Sequence, residues 1–139
     1  MKTSQYNPTK FKQVFNGFID AMFFADGADS DFKNEDGFYE DGIFNKQGEL
    51  SQDAIKNITD LLDCILPSLP TEVYNLDLER IGMCIYYDIQ GHGVGFDDEE
   101  LCDDTKQELY DLLAYKYDLE IYDNDSSNEI EFTYWTKGI

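Results

Sequence analysis

The sequence predicts an α+β fold, a single acidic domain over residues 1–139 in which one layer of helices covers a small, four-stranded and mostly antiparallel sheet. Some segments carry apolar residues at helical spacing, and others carry the β-branched and aromatic residues of strands. Their predicted order is α-α-β-β-α-β-β. With 139 residues, 42% of them hydrophobic, the chain is long enough to bury the core of one such domain.

The first helix is predicted over residues 10–24. Phe11, Val14 and Phe18 belong to a ladder of apolar residues that recur every three or four positions. A broad aromatic stripe of this kind is typical of a helix packed on a core. Residues 25–50 carry glycines among Asp, Asn and Ser, so this stretch is predicted to be a long loop.

The second and third helices are predicted over residues 52–66 and 104–116. Ser51 is placed to cap the second helix, and Pro67 is placed to end it. Asp104 is followed three residues later by a glutamine, which is the pattern of a capping box at the start of the third helix.

Four strands are predicted, and two different signals support them. The run RIGMCIYYDI is rich in β-forming residues and alternates in part, whereas the C-terminal residues alternate clearly on both sides of a polar DNDSSN turn. The predicted strands cover residues 81–88, 93–96, 118–123 and 129–135.

The stretch IQGHGVGF lies between the first two predicted strands, and in it Gly91, Gly93 and Gly95 alternate with His92 and Val94. Glycines of this kind let backbone N–H groups approach a phosphate, but the four carboxylates of DDEE follow directly and would repel an anion. His92, the only histidine, has no partner at catalytic or ligand spacing. The three glycines are therefore predicted to form a structural turn, and His92 to be neither a metal ligand nor a catalytic base.

No motif in the sequence indicates catalysis, a metal or a cofactor. DNDSSNEIEFTY has carboxylates at some EF-hand positions, but it lacks the required glycine and has Tyr134 where the bidentate Glu belongs. Cys64, Cys84 and Cys102 are widely spaced without a CxxC pair, which indicates reduced thiols packed as small apolar groups. We therefore expect a protein that is not an enzyme and holds no cofactor.

The charge of the chain restricts its partners. There are 30 Asp and Glu against 10 Lys and Arg, for a net charge of −20, whereas binding to nucleic acid or to an anionic membrane requires the opposite sign. The N-terminal residues lack the apolar stretch of a secretion signal, and no apolar run approaches the ~18 residues of a membrane span. The expected location is the cytoplasm.

Two groups of acids are predicted to form a partner-binding surface, one in the long loop and one just beyond the glycine segment. Long loops without regular structure are often functional. If the two groups adjoin, they form a ridge that attracts a basic groove over a long range. The predicted binding residues are Asp26, Asp29, Asp31, Glu35, Asp36, Glu40, Asp41, Asp97, Asp98, Glu99, Glu100, Asp103 and Asp104.

The run RIGMCIYYDIQGHGVGFDDEE, followed by a helix and DLEIYDNDSSNEIEF, resembles a family of small acidic phage-encoded proteins without an established activity. The signature of that family is a strand, an Asn-Gly-His-Gly-Ala-Gly-Phe turn, a short helix and a terminal hairpin. FNGFIDAMFFAD resembles the family's first helix, whereas Gln90 replaces the Asn of the turn and DDEE stands in place of Trp-Asp-Arg. The resemblance implies a phage origin, hence the host cytoplasm, and the element order above, but no reaction.

The expected function is a phage-encoded, non-enzymatic inhibitor that mimics DNA, of the anti-restriction or anti-CRISPR kind. Its partner would be a basic nucleic-acid-binding protein of the host, a defence or DNA-processing enzyme, and neither nucleic acid itself nor a membrane. The alternative is a phage accessory protein that binds a host or phage partner through apolar contacts, while its acidity serves solubility. Acids gathered on one ridge favour mimicry, and acids spread evenly favour the alternative.

Overall fold

The computed structural model describes residues 8–26, 50–91, 95–124 and 129–137. Within these residues the chain forms four α-helices and one antiparallel pair of strands. Short 3₁₀ helices at Leu66–Ser68, Thr71–Asn75 and Phe96–Asp98 join the longer elements. The longer elements are α1 (Pro8–Asp26), α2 (Gln52–Ile65), α3 (Leu78–Gln90), α4 (Asp103–Leu112), β1 (Tyr117–Asn124) and β2 (Glu129–Thr136).

The three helices predicted from the sequence are confirmed, and so are the two C-terminal strands. α1 is longer than predicted by two residues at each end, α2 agrees within one residue, and α4 ends four residues early. The α+β class stands, but the four-stranded sheet and the order α-α-β-β-α-β-β are wrong. Within the described residues the order is α-α-α-α-β-β, with a two-stranded sheet.

The predicted strand at residues 81–88 is wrong because this segment belongs to α3. Most side chains between residues 81 and 88 are buried, whereas the polar residues Glu79, Arg80 and Gln90 lie beyond the two ends of this stretch. Taken alone, residues 81–88 therefore show little of the polar face of α3, and their sequence resembles that of a buried strand. The start signal was nevertheless present, since the Asp77 side chain caps α3 by accepting a hydrogen bond from the Glu79 N–H. The buried residues are Ile81, Gly82, Cys84, Ile85, Tyr86, Tyr87 and Ile89.

The predicted strand at residues 93–96 is also wrong where the structure describes it. Gly95 leads into the 3₁₀ helix Phe96–Asp98, and the carbonyl groups of Gly95 and Phe96 accept hydrogen bonds within this turn and not from a neighbouring strand. Residues 92–94 lie outside the described residues, as does the predicted loop between residues 26 and 50.

α1 and α3 pack closely against each other. A Cβ at Gly17 would be 2.0 Å from the carbonyl oxygen of Glu79, and a Cβ at Gly82 would be 2.0 Å from that of Val14. The two helices therefore meet backbone to backbone. Close to this crossing, the rings of Phe18 and Tyr86 pack edge to face with their centroids 5.2 Å apart.

The hairpin joins the same core through α2 and β2. The Ser51 N–H donates to the carbonyl of Ile130 at 3.0 Å, and the Asn57 side chain donates to the carbonyl of Phe132 at 2.8 Å. The Phe132 ring lies 5.8 Å from that of Phe18. Residues distant in the sequence thus share one apolar interior.

Candidate acidic interaction surface

The segment after the glycine run is anchored by Phe96. Its side chain is buried, and its N–H donates to Oδ1 of Asp88 at 3.3 Å. Gly95 lies against the same carboxylate, because a Cβ at this position would be 1.9 Å from Oδ1. A side chain at residue 95 would push the carboxylate away from the Phe96 N–H. Asp88 therefore fixes the point at which the chain leaves the glycine run.

The Asp88 carboxyl is in an unusual electrostatic position. Burial raises its pKa to about 7, the hydrogen bond from Phe96 acts in the opposite direction, and the nearby charge of Asp97 raises it further. The desolvation of the carboxylate outweighs the hydrogen bond that it accepts from the Phe96 N–H. Asp88 therefore changes protonation near neutral pH, in contact with the segment that carries the acids.

Glu99 forms an ion pair with Arg80, which neutralises its charge. Nε and Nη2 of Arg80 donate to Oε2 of Glu99 at 2.8 and 2.7 Å, and both side chains are largely covered. The sequence has no base between residues 81 and 104, yet Arg80 lies just before that stretch and neutralises one of its acids. Glu99, which was predicted to bind a partner, serves here to anchor the segment.

Two further contacts hold the segment, one to the 3₁₀ helix Thr71–Asn75 and one to α4. The Cys102 N–H donates to Oε1 of Glu72 at 3.3 Å, and hydrogen bonds from Thr105 and Cys102 hold the pKa of Glu72 below its usual value. Nζ of Lys106 donates to the carbonyl oxygen of Asp97 at 3.0 Å. Cys102, and not the predicted Asp104, is the N-cap of α4, without a capping side-chain bond.

The remaining predicted acids of this segment are exposed, and α4 extends the group. Glu108 and Asp111 were missed, although they follow Asp104 at four and then three residues, which places them on one helix face. The opposite face buries Thr105 and Leu109. We call the exposed set the acidic surface: Asp97, Asp98, Glu100, Asp103, Asp104, Glu108 and Asp111.

An ordinary structural role accounts for part of this acidity. Asp103 and Asp104 occupy the first turn of α4, where the helix dipole favours negative charge. The other exposed acids of the surface lie in the 3₁₀ helix, in the following turn or further along α4, where no such benefit applies. Asp111 also has a local role, because its Oδ1 accepts a hydrogen bond from Nε2 of Gln107 at 3.1 Å. Helix stabilisation therefore explains three of the seven carboxylates.

The second predicted group of acids lies almost entirely outside the described residues. Asp26 is the last residue of α1, and Asp29, Asp31, Glu35, Asp36, Glu40 and Asp41 are not described. A ridge formed by both groups stays a prediction.

The glycine segment is described only at its two ends. Gly91 ends α3 with a φ of 74°, a left-handed conformation that glycine adopts without strain. His92 and Gly93 lie outside the described residues. Among those that are described, no three His, Cys, Asp or Glu side chains are grouped so that they could hold a metal ion.

No known protein family, curated protein or solved structure matches the chain. The resemblance to phage-encoded proteins therefore stays an expectation, and no site residue is transferred from a relative. None of the helices that the structure describes is long and apolar enough to cross a bilayer. The candidate site consequently depends on geometry and charge alone.

Proposed function

We propose that the protein is a phage-encoded, non-enzymatic inhibitor of a host nucleic-acid-binding protein, and that its acidic surface mimics DNA in the host cytoplasm. The observation that carries this proposal is a group of exposed carboxylates on a segment anchored to the core. The net charge of −20 favours a basic partner in the same way. The phage origin depends on the sequence resemblance.

The linear charge density of α4 is of the same order as that of duplex DNA, which supports mimicry. α4 has 10 residues and is therefore ~15 Å long, a length over which duplex DNA carries ~9 charges. Over that length α4 itself presents four exposed carboxylates, with the ammonium group of Lys106 among them. Its charge density is therefore lower than that of the duplex by about a factor of two to three.

Rigidity supports mimicry as well, because a preorganised surface loses less entropy on binding. The segment is held at Phe96 by Asp88, at Glu99 by Arg80 and at Cys102 by Glu72. The backbone that carries the exposed acids between these contacts is therefore held in place.

The test begins with a partner captured from host lysate and then measures competition with duplex DNA. Mimicry requires that DNA and this protein exclude each other from the captured partner, and that affinity falls steeply as salt rises. Asp97→Asn with Asp98→Asn should weaken binding severalfold. The matched control is Asp53→Asn with Glu79→Gln, which removes the same charge from exposed positions outside the acidic surface.

Equal weakening by both pairs would indicate a general charge effect and would overturn the acidic surface as the site. Simultaneous binding of DNA and protein, or an affinity indifferent to salt, would reject mimicry. Those outcomes would favour the alternative of an accessory protein that binds its partner through apolar contacts.

A further inference from the structure

The outer face of the hairpin exposes large aromatic side chains. β1 and β2 alternate, so Leu119 and Phe132 are buried on the inner face, whereas the opposite face carries Trp135 and Tyr122 at 46% and 49% exposure. Half-exposed tryptophan and tyrosine side chains leave apolar area in water. Aromatic residues of these types dominate the energetic centres of protein interfaces.

Carboxylates are interleaved with the aromatic residues of this face. In the antiparallel register Asp118 lies opposite Trp135, Glu120 opposite Thr133, and Tyr122 opposite Glu131. Directly opposite Cβ atoms are about 5 Å apart, so the side chains of Asp118 and Trp135 are neighbours on this face. Glu120 lies diagonally between the two aromatic side chains and is exposed.

We propose that this outer face binds an arginine-bearing segment of a protein partner. A planar guanidinium group stacks on an indole or phenol ring and bonds a carboxylate with two parallel N–H groups at once. Trp135 beside Asp118, and Tyr122 beside Glu120, each offer that combination. A lysine ammonium lacks the planar fork and is held more tightly by water, so arginine is the preferred side chain.

The lysines that flank the hairpin in the sequence are engaged elsewhere. Lys116 lies over the ring of Tyr117, 5.4 Å from its centroid, and Nζ of Lys137 donates to the carbonyl oxygen of Ala114 at 2.8 Å. Both contacts lie at the open end of the hairpin, where β1 begins and β2 ends. Neither of these two lysines therefore supplies a cation to the outer face.

This inference does not depend on DNA mimicry. It uses residues of β1 and β2, whereas the proposed function uses the acidic surface on α4 and the segment before it. A partner that binds through the hairpin without competing with DNA would support the hairpin as a binding face and would reject DNA mimicry.

Trp135 is the only tryptophan in the chain, so its fluorescence reports on this face directly. The protein is titrated with a short oligo-arginine peptide and, in parallel, with an oligo-lysine peptide of equal length. We expect oligo-arginine to shift or quench the emission saturably, and to bind about three- to tenfold more tightly than oligo-lysine. Equal affinities, or an emission that does not change on saturation with oligo-arginine, would overturn the proposal.

Charge variants locate the site. Asp118→Asn with Glu120→Gln should weaken oligo-arginine binding at least about threefold, because each removes a carboxylate beside an aromatic ring. Asn at residue 118 keeps the oxygen that accepts from the Leu119 N–H, so the strand is preserved. Asp103→Asn with Asp104→Asn removes the same charge from α4 and should leave the Trp135 titration nearly unchanged. Equal effects of the two pairs would contradict the proposal.

Discussion

Gly17 of α1 and Gly82 of α3 are reciprocal contacts, each lying against the backbone of the other's helix. A Cβ on either would be 2.0 Å from a carbonyl oxygen of the facing helix. Rigid backbone cannot withdraw as a flexible side chain can. This crossing sets the distance between the two helices and, through α3, the position of Asp88 and Arg80.

The first prediction concerns that crossing. Gly82→Ala should lower the free energy of unfolding by about 2–4 kcal/mol, because overpacking against backbone exceeds the ~1 kcal/mol that alanine gains in helix propensity. Urea denaturation measures the loss. Lys12→Ala, at an exposed position of α1, is the control and should change stability by less than about 0.5 kcal/mol. A Gly82→Ala protein as stable as wild type would show that the helices are not in backbone contact here.

The second prediction concerns Asp88 and pH. Its pKa is raised by burial from 3.8 to about 7, so the folded state disfavours the charged form. The stability that Asp88 contributes is therefore fully present below about pH 4 and is lost as the pH rises through about 7. Asp88→Asn removes this loss while keeping an acceptor oxygen for the Phe96 N–H.

The measurement is the free energy of unfolding of both proteins between pH 4 and pH 8. The variant should be the more stable by about 1–3 kcal/mol at pH 8, and the difference should shrink toward low pH. Comparing the two proteins cancels the repulsion among the other acids, which rises with pH in both. A difference independent of pH would contradict a titration of Asp88 in this range.

The third prediction concerns the ion pair between Arg80 and Glu99. A double-mutant cycle with Arg80→Gln and Glu99→Gln should give a coupling energy of about 1–2 kcal/mol, because the pair is largely shielded from water. The control cycle uses Lys56 and Asp60, whose side chains are 71% and 46% exposed, and should give about 0.5 kcal/mol or less. Amide hydrogen exchange of residues 96–101 should also rise in Arg80→Gln. Equal coupling energies in the two cycles would contradict the anchoring role of Glu99.

The fourth prediction concerns the cysteines, all of which the sequence led us to expect as buried packing groups. Cys84 is buried, and burial raises its pKa to about 12, whereas Cys64 and Cys102 are exposed. An aromatic disulfide reagent should therefore modify two thiols in the native protein at neutral pH and the third only after denaturation. The Cys84→Ala variant should retain both fast thiols. Rapid modification of all three in the native state would contradict the burial of Cys84.

The sequence by itself determined the elements that present one apolar and one polar face. α1 and α2 repeat apolar residues at helical spacing, and β1 and β2 alternate apolar and polar residues on both sides of a polar turn. The conformation of each of these elements can therefore be predicted from its local sequence. The excess of acids was equally visible, because charge is a sum over composition. The helical spacing of Asp104, Glu108 and Asp111 was also visible in the sequence and would have predicted that these acids share one face of α4.

Only the tertiary structure decided the conformation of residues 78–90 and which carboxylates remain exposed. The polar residues of α3 lie near its two ends and its middle is apolar, so residues 81–88 alone resemble a buried strand. In the structure this helix packs against α1 at Gly17 and Gly82. Arg80 neutralises Glu99 across 19 residues, and Glu72 holds Cys102 across 30. Such pairings depend on how the helices pack, and no local pattern encodes them.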